Sequence, residues 1–408
     1  MDHFGTRIRD ARLALGLGLS VCARGLLPAE ALARIEHGSE TPDPVVAVRI
    51  AARLHMPAKD REIPSDAEFA ASLSAEAALR RGDHTAVAEQ LLGSPSVSGR
   101  RPLYRAYVAE RRGDLTSAAQ ILQSEAHDES PLWRFRRLLA LCRVLRDIGE
   151  LGRSIAAGEA ALSMATDAAF YDLDLLLELR STLSGTYCET GDLVRAIDLT
   201  EPLPGNHEIS SWANATRLWA RAMALQTAGR FALALEAAHE SLLLLQHLGR
   251  PAAFARLQNS AAWIAMQLPS FDTDRVNRDL EDSARFFRSI GAPLELALVL
   301  TSQSEFAVRT NRHAEARGML AEVDKLLTQA EAGERARIMA AAAQLFARMG
   351  DLDEANRHLL SARELLENSG AKRSAAAVWK QMAETYASLG QQDLQIVCLR
   401  AAMDLLEL

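Results

Sequence analysis

One short phrase recurs along this chain, and it limits the fold more than any other feature. A helix end is followed by a small turn residue, a polar residue and a second, Ala-containing helix. It reads RRGDHTAVAEQLL from Arg80, RRGDLTSAAQIL from Arg111, DIGELGRSIAAGEAAL from Asp147, ETGDLVRAIDL from Glu189 and TAGRFALALEAA from Thr227. It returns as RTNRHAEARGML from Arg309, RMGDLDEANRHLL from Arg348 and SLGQQDLQIVCL from Ser388. The turn residues Gly82, Gly113, Gly149, Gly191 and Gly229 are 31, 36, 42 and 38 residues apart, and Asn311, Gly350 and Gly390 follow at 39 and 40. The gap of 82 from Gly229 to Asn311 is two periods, which places an unmarked turn near Pro269–Asp272. A period of this size predicts about eight or nine helical hairpins over residues 65–408.

Each position in the phrase has a physical task. Glycine takes positive φ and lets the chain reverse. The Asp that often follows can cap the second helix. The Ala five residues past the turn (Ala118, Ala196, Ala234, Ala316, Ala355) lets two helices cross closely. No hairpin buries its apolar face alone, so neighbours must stack into a continuous core.

Composition agrees. A length of 408 residues exceeds one ordinary core but suits an array. Hydrophobic residues at 49% with only 5% aromatics leave Ala and Leu as the packing residues, which predicts an all-α protein. The net charge of −7 gives the whole chain no electrostatic attraction to nucleic acid, so any DNA contact must be local. Cys22, Cys142, Cys188 and Cys398 are far apart and form no CxxC or Cys/His cluster, so they read as small buried thiols rather than metal ligands or disulfides. No nucleophile elbow, phosphate loop or Gly-rich cofactor turn occurs. The expectation is therefore no catalytic residue, no metal and no cofactor. MDHFGTRIRD has no apolar leader region, and no run approaches a membrane span, so a cytoplasmic protein without membrane contact is expected.

The G-D-x-x-x-A turn and its spacing resemble the tetratricopeptide repeat family over residues 70–408. This resemblance implies a right-handed α-solenoid. Most repeats here are 38–42 residues long rather than 34, with longer helices.

Residues 4–57 depart from the phrase. Phe4, Ile8, Ala11 and Leu15 share one face of a first helix. Further helices are expected over 19–25, 28–37 and 44–54, with Met56–Pro57 as the stop. RIRDARLALGL, ARIEHG, the TPDP step at Thr41–Pro44 and the closing LHMP together resemble the Cro/C1-type helix-turn-helix family. The resemblance implies a head over residues 1–62 and a repeat domain over 63–408. It also implies that Ser20, Pro28, Ala29, Glu30, Ala33 and Arg34 face double-stranded DNA, with the third helix in the major groove. A DNA reader of this kind should gather Arg7, Arg9, Arg12, Arg24 and Arg34 on one face. Residues 1–60 hold eight Arg/Lys against seven Asp/Glu.

A helix-turn-helix head followed by tetratricopeptide hairpins resembles the bacterial RRNPP-type peptide-sensing regulators. What this implies is a homodimeric transcription factor whose concave groove, lined by the first helix of each hairpin, binds a peptide or protein ligand. Counting from the turn residue, the groove positions are Glu178, Ser181, Thr216, Gln226, Asn259, Thr301, Glu305, Arg337 and Gln344. Trp219 and Trp263 fall at or beside the same face, with core packing as their first expectation. A second reading stays open: a protein-interaction scaffold whose head no longer reads DNA. Leu19 stands where that family places a polar phosphate contact, and Pro28–Ala29–Glu30–Ala31 opens the third helix without a basic residue.

Overall fold

The computed structural model describes residues 4–24, 26–40, 42, 44–56, 101–124, 131–166, 173–203, 209–330, 332–369 and 375–405. The repeat expected from Arg80 and the boundary expected at 62/63 lie outside the described residues. Every regular element among the described residues is helical, and none of these helices is long and apolar enough to cross a membrane. The chain divides into two compact units. One comprises Met1–Leu145, Gly152–Thr182 and Pro202–Ser210; the other comprises Arg146–Leu151, Leu183–Glu201 and Ser211–Leu408.

The first unit opens with four helices, α1 (Phe4–Ala14), α2 (Leu19–Ala23), α3 (Ala29–Glu36) and α4 (Pro44–Arg53). Phe4, Ile8, Cys22, Leu32, Ile35, Ile50 and Leu54 form their shared core. Gly5 lets α1 approach the backbone of α3, since a Cβ there would sit 1.9 Å from the Ile35 carbonyl oxygen. At the edge of this core Arg12 donates from Nε and Nη2 to the two Glu36 carboxylate oxygens, each at 2.7 Å, and from Nη1 to the Leu17 carbonyl. Both residues are buried. Arg53 donates to the carbonyls of Cys22 and Arg24 at the end of α2, where helix carbonyls lack internal partners.

Among the described residues sixteen further helices follow: α5 (Arg101–Arg111), α6 (Leu115–Gln123), α7 (Pro131–Ile148), α8 (Leu151–Thr166), α9 (Leu173–Thr190) and α10 (Leu193–Asp198). Next come α11 (Ser211–Thr227), α12 (Phe231–Gln246), α13 (Pro251–Met266), α14 (Thr273–Ser289), α15 (Pro293–Arg309) and α16 (His313–Leu326). The last four are α17 (Ala332–Arg348), α18 (Leu352–Ser369), α19 (Ala375–Ser388) and α20 (Gln392–Leu405). The described turn residues within hairpins all take the left-handed conformation, from Asn311 at φ 58° to Gly149 at φ 90°. The exception is the α13–α14 connection, Gln267–Asp272, where the sequence carries no turn glycine. A longer link reverses the chain there without a positive φ.

The five alanines past the turn are fully buried, so the close crossing they permit is realised. Where the crossing residue is serine, its hydroxyl reaches the partner helix: Ser154 donates to the Cys142 carbonyl at 2.7 Å. Ser241 and Ser283 likewise donate to the carbonyls of Ala215 and Ala255. Asp114, Asp192 and Asp272 accept from the backbone N–H three residues on, at 3.0–3.1 Å, as helix caps do. Asp351 instead accepts from Arg317, one hairpin earlier, at 3.1 Å. Cys22, Cys142 and Cys398 are buried. Burial pushes the thiols of Cys188 and Cys398 up to about 11.

In the second unit, the imidazole of His358 on α18 is fully buried, with Nε2 3.0 Å from Asp324 Oδ1 and Nδ1 2.9 Å from the Glu354 carbonyl. Burial pushes the Asp324 carboxyl up, but hydrogen bonds from His358 and Arg357 outweigh it and hold Asp324 below the usual carboxylate range. A folded-state pKa below the unfolded one gives stability that is complete above the unfolded value and is lost as pH falls through the folded one. Asp324→Asn is therefore expected to remove part of the acid sensitivity that sets in below about pH 4. Denaturant midpoints measured between neutral and acid pH check this: parallel curves for the parent and the variant would mean that Asp324 is not responsible.

Candidate functional site

Five hairpins of the second unit, α11 through α20, contribute one helix each to a groove of about 430 Å³. Every lining residue belongs to the first helix of its hairpin. Met223 and Gln226 come from α11, Asn259, Ser260 and Trp263 from α13, and Leu298, Thr301, Ser302 and Glu305 from α15. Arg337, Ile338, Ala341, Gln344 and Leu345 come from α17, and Ala377, Val378 and Gln381 from α19. Successive first helices lie side by side because each hairpin stacks on the one before it, so residues one period apart become neighbours.

Gln226, Asn259, Thr301, Glu305, Arg337 and Gln344, six of the nine positions expected from the sequence, lie together here. The other three lie elsewhere. Glu178 and Ser181 belong to the first unit, where Glu178 sits 3.9 Å from Arg143. Thr216 is on α11 but outside the groove, and its hydroxyl donates to the Trp212 carbonyl at 2.9 Å. Trp263, which the sequence suggests first as a core residue, lines the groove and also meets Phe231 edge-on at 6.4 Å. The apolar lining from Met223, Leu298, Ile338 and Val378 was not predicted. For three of them the signal was available, because Met223, Leu298 and Val378 each stand three residues before a polar groove position (Gln226, Thr301 and Gln381), on the same face; Ile338 has no such neighbour.

The polar groups present both acceptors and donors, the amides of Gln226, Asn259, Gln344 and Gln381 carrying each. The hydroxyls of Ser260, Thr301 and Ser302 donate to carbonyls four residues earlier, which leaves their oxygen lone pairs for a ligand. Asn259 Oδ1 is buried without a hydrogen-bond partner. Glu305 is held from both sides: Arg309 Nε donates to Oε1 and Arg348 Nη1 to Oε2, each at 2.5 Å. Arg337 donates to Glu334 on its own helix. Gln381 donates to Gln344 at 3.4 Å. A mixed groove of this kind, apolar with convergent polar groups, has the size of a small-ligand or short-peptide site, roughly 300–1,000 Å³.

No family model matches the sequence, and no curated protein matches it. Among solved structures, a Rap protein complexed with competence and sporulation factor aligns with 82% of this chain and 96% of its own, at TM-score 0.58 and 11% identity. The apo form of RapI aligns over 83% and 97%, at TM-score 0.50 and 12% identity. The chain shares the helical-repeat fold of these two proteins. PlcR from Bacillus thuringiensis, solved with the peptide PapR7 and DNA, aligns over 81% of this chain and all of its own, at TM-score 0.44 and 14% identity. In this fold residues one period apart fall on neighbouring first helices, so counting from the turn residue brings six of the nine expected positions to one groove.

In the first unit, Ser20, Glu30 and Arg34 are exposed, and Pro28, Ala29 and Ala33 are half-buried, so all six positions expected to face DNA lie outside the core. Arg34 pairs with Glu40 at 2.6 Å. The expectation that Arg12 joins a basic face is corrected. Its guanidinium is consumed by Glu36 inside the core, because α1 and α3 approach closely enough at Gly5 to bury both groups.

Proposed function

We propose that this chain is a peptide-sensing regulator. The groove of α11–α20 binds a short extended peptide, or such a segment of a protein, and the head over residues 1–62 binds double-stranded DNA as part of a cytoplasmic homodimer, with residues 63–408 as the sensing domain. One observation carries the reading: five first helices converge polar groups and an apolar floor on one groove. An extended peptide offers backbone N–H groups to such acceptors and side chains to such a floor. The coupling follows from population shift, since a ligand that binds one arrangement of the hairpins better than another favours that arrangement. The likeness in fold to a Rap protein solved with a bound peptide factor supports the peptide half of the reading. This is binding work, not catalysis. It needs no cofactor.

The test is selection of random double-stranded DNA by the full-length protein at two salt concentrations, with and without a pool of short synthetic peptides. An enriched two-fold motif whose recovery changes with peptide supports the regulator. A second reading is favoured by the head itself, where Arg12 is buried, Arg34 is paired with Glu40 and Glu30 is exposed on α3. On that reading the protein is an interaction scaffold that takes peptides but not DNA. Peptide binding without any enriched DNA motif, in either condition, would select it.

A further inference from the structure

We propose that the groove selects peptides carrying a carboxylate next to an apolar residue; this rests on the peptide-binding reading above. Glu305 and Arg337 line the groove and cancel. Glu305 holds two guanidiniums, Arg309 and Arg348, and Arg337 holds one carboxylate, Glu334. Three arginines against two carboxylates leave one positive charge in excess at the groove. Both Glu305 oxygens already accept a guanidinium N–H. Each arginine, with five N–H donors, keeps donors beyond those bonds. The Arg309 and Arg348 side chains are 30% and 39% exposed, so an incoming group can reach them, while Glu305 is only 12% exposed.

A cationic peptide would meet an excess of like charge. A carboxylate would find planar donors suited to it and only partly desolvated. Groove residue Trp263 lies one turn from Gln267, which accepts from Arg309, and groove residue Leu345 lies one turn from Arg348, so the residue next to the carboxylate is apolar. The carboxylate can come from a side chain or from the peptide C-terminus, and the chemistry is the same.

The experiment uses the full-length protein and four pools of random hexapeptides, each with one fixed position. Three are C-terminally amidated and carry Glu, Gln or Lys there; the fourth carries Gln and keeps its free C-terminus. The Glu pool or the free-acid pool is expected to bind about fivefold tighter than the amidated Gln pool, as one partly exposed charge pair supplies. Which of them does so identifies the source of the carboxylate. Arg348→Gln is expected to abolish the preference, and Arg348→Lys to keep most of it. Glu305→Gln is expected to sharpen it, because removing the internal competitor raises the positive excess. Equal binding of all four pools, a preference for Lys, or weakened acidic binding in Glu305→Gln overturns the inference while leaving the peptide reading in place. Binding of none of the pools overturns both.

Discussion

Arg12→Met is expected to unfold the four-helix head of the full-length protein while the repeat hairpins stay folded. Arg12 and Glu36 are 8% and 4% exposed, and their bidentate pair spans α1 and α3. The pair itself adds little net stability, because both charges had to leave water. Removing one partner is different: Glu36 would remain as an uncompensated charge in a core, at a cost of about 3–5 kcal/mol. A small domain has only about 5–15 kcal/mol to lose. The hairpins are stabilised by their neighbours and do not share that loss. Hydrogen exchange over residues 4–56 reads the effect directly; unchanged protection there in Arg12→Met would show that the pair does not hold the head together. The double variant Arg12→Met with Glu36→Leu is expected to recover most of the protection, since an apolar pair can replace a buried ionic one.

The second large effect is expected at Phe287, in α14. Its ring is 1% exposed and meets Phe286 edge-on at 5.3 Å. It belongs to a buried cluster with Ala284 of its own helix, Leu296 and Leu300 of α15, Val323 of α16 and Ile338 of α17, a cluster that spans three hairpins. Phe287→Ala removes the ring and leaves a cavity, at about 3–5 kcal/mol. In a stacked array this loss is local, because stability sums over nearest neighbours. Exchange protection should therefore fall in α13–α17 and persist in α20. A uniform loss along the chain would mean that the second unit unfolds as one cooperative block.

Much of this was legible because the repeat carries its own ruler. The turn residue fixes the left-handed position, the alanine five residues later fixes the crossing, and the face of the first helix fixes the groove. Asn311 could be read as a turn without glycine because it stands one period before Gly350. The link at Gln267–Asp272 was legible only as a gap of two periods, and its geometry was not. Ion pairs between hairpins were missed, although their spacing carries a signal. Glu305 and Arg348 are 43 residues apart, and Arg317 and Asp351 are 34, each near one period. Arg12 was misjudged for another reason. An arginine on a helix reads as surface until its partner on another helix is known, and Glu36 is 24 residues away with no repeat to point to it.

The groove-lining helices α11, α13, α15, α17 and α19 have 17, 16, 17, 17 and 14 residues, and their partners α12, α14, α16, α18 and α20 have 16, 17, 14, 18 and 14. Both sets vary in length by about a turn, and the partner helices line no part of the groove. One residue inserted into a groove helix would rotate every later side chain by about 100° and scramble the binding face. The same insertion in a partner helix changes the period and leaves that face in frame. The architecture thus separates a surface that can absorb insertions and deletions from one that can change only by substitution, and new ligand preferences can arise one side chain at a time.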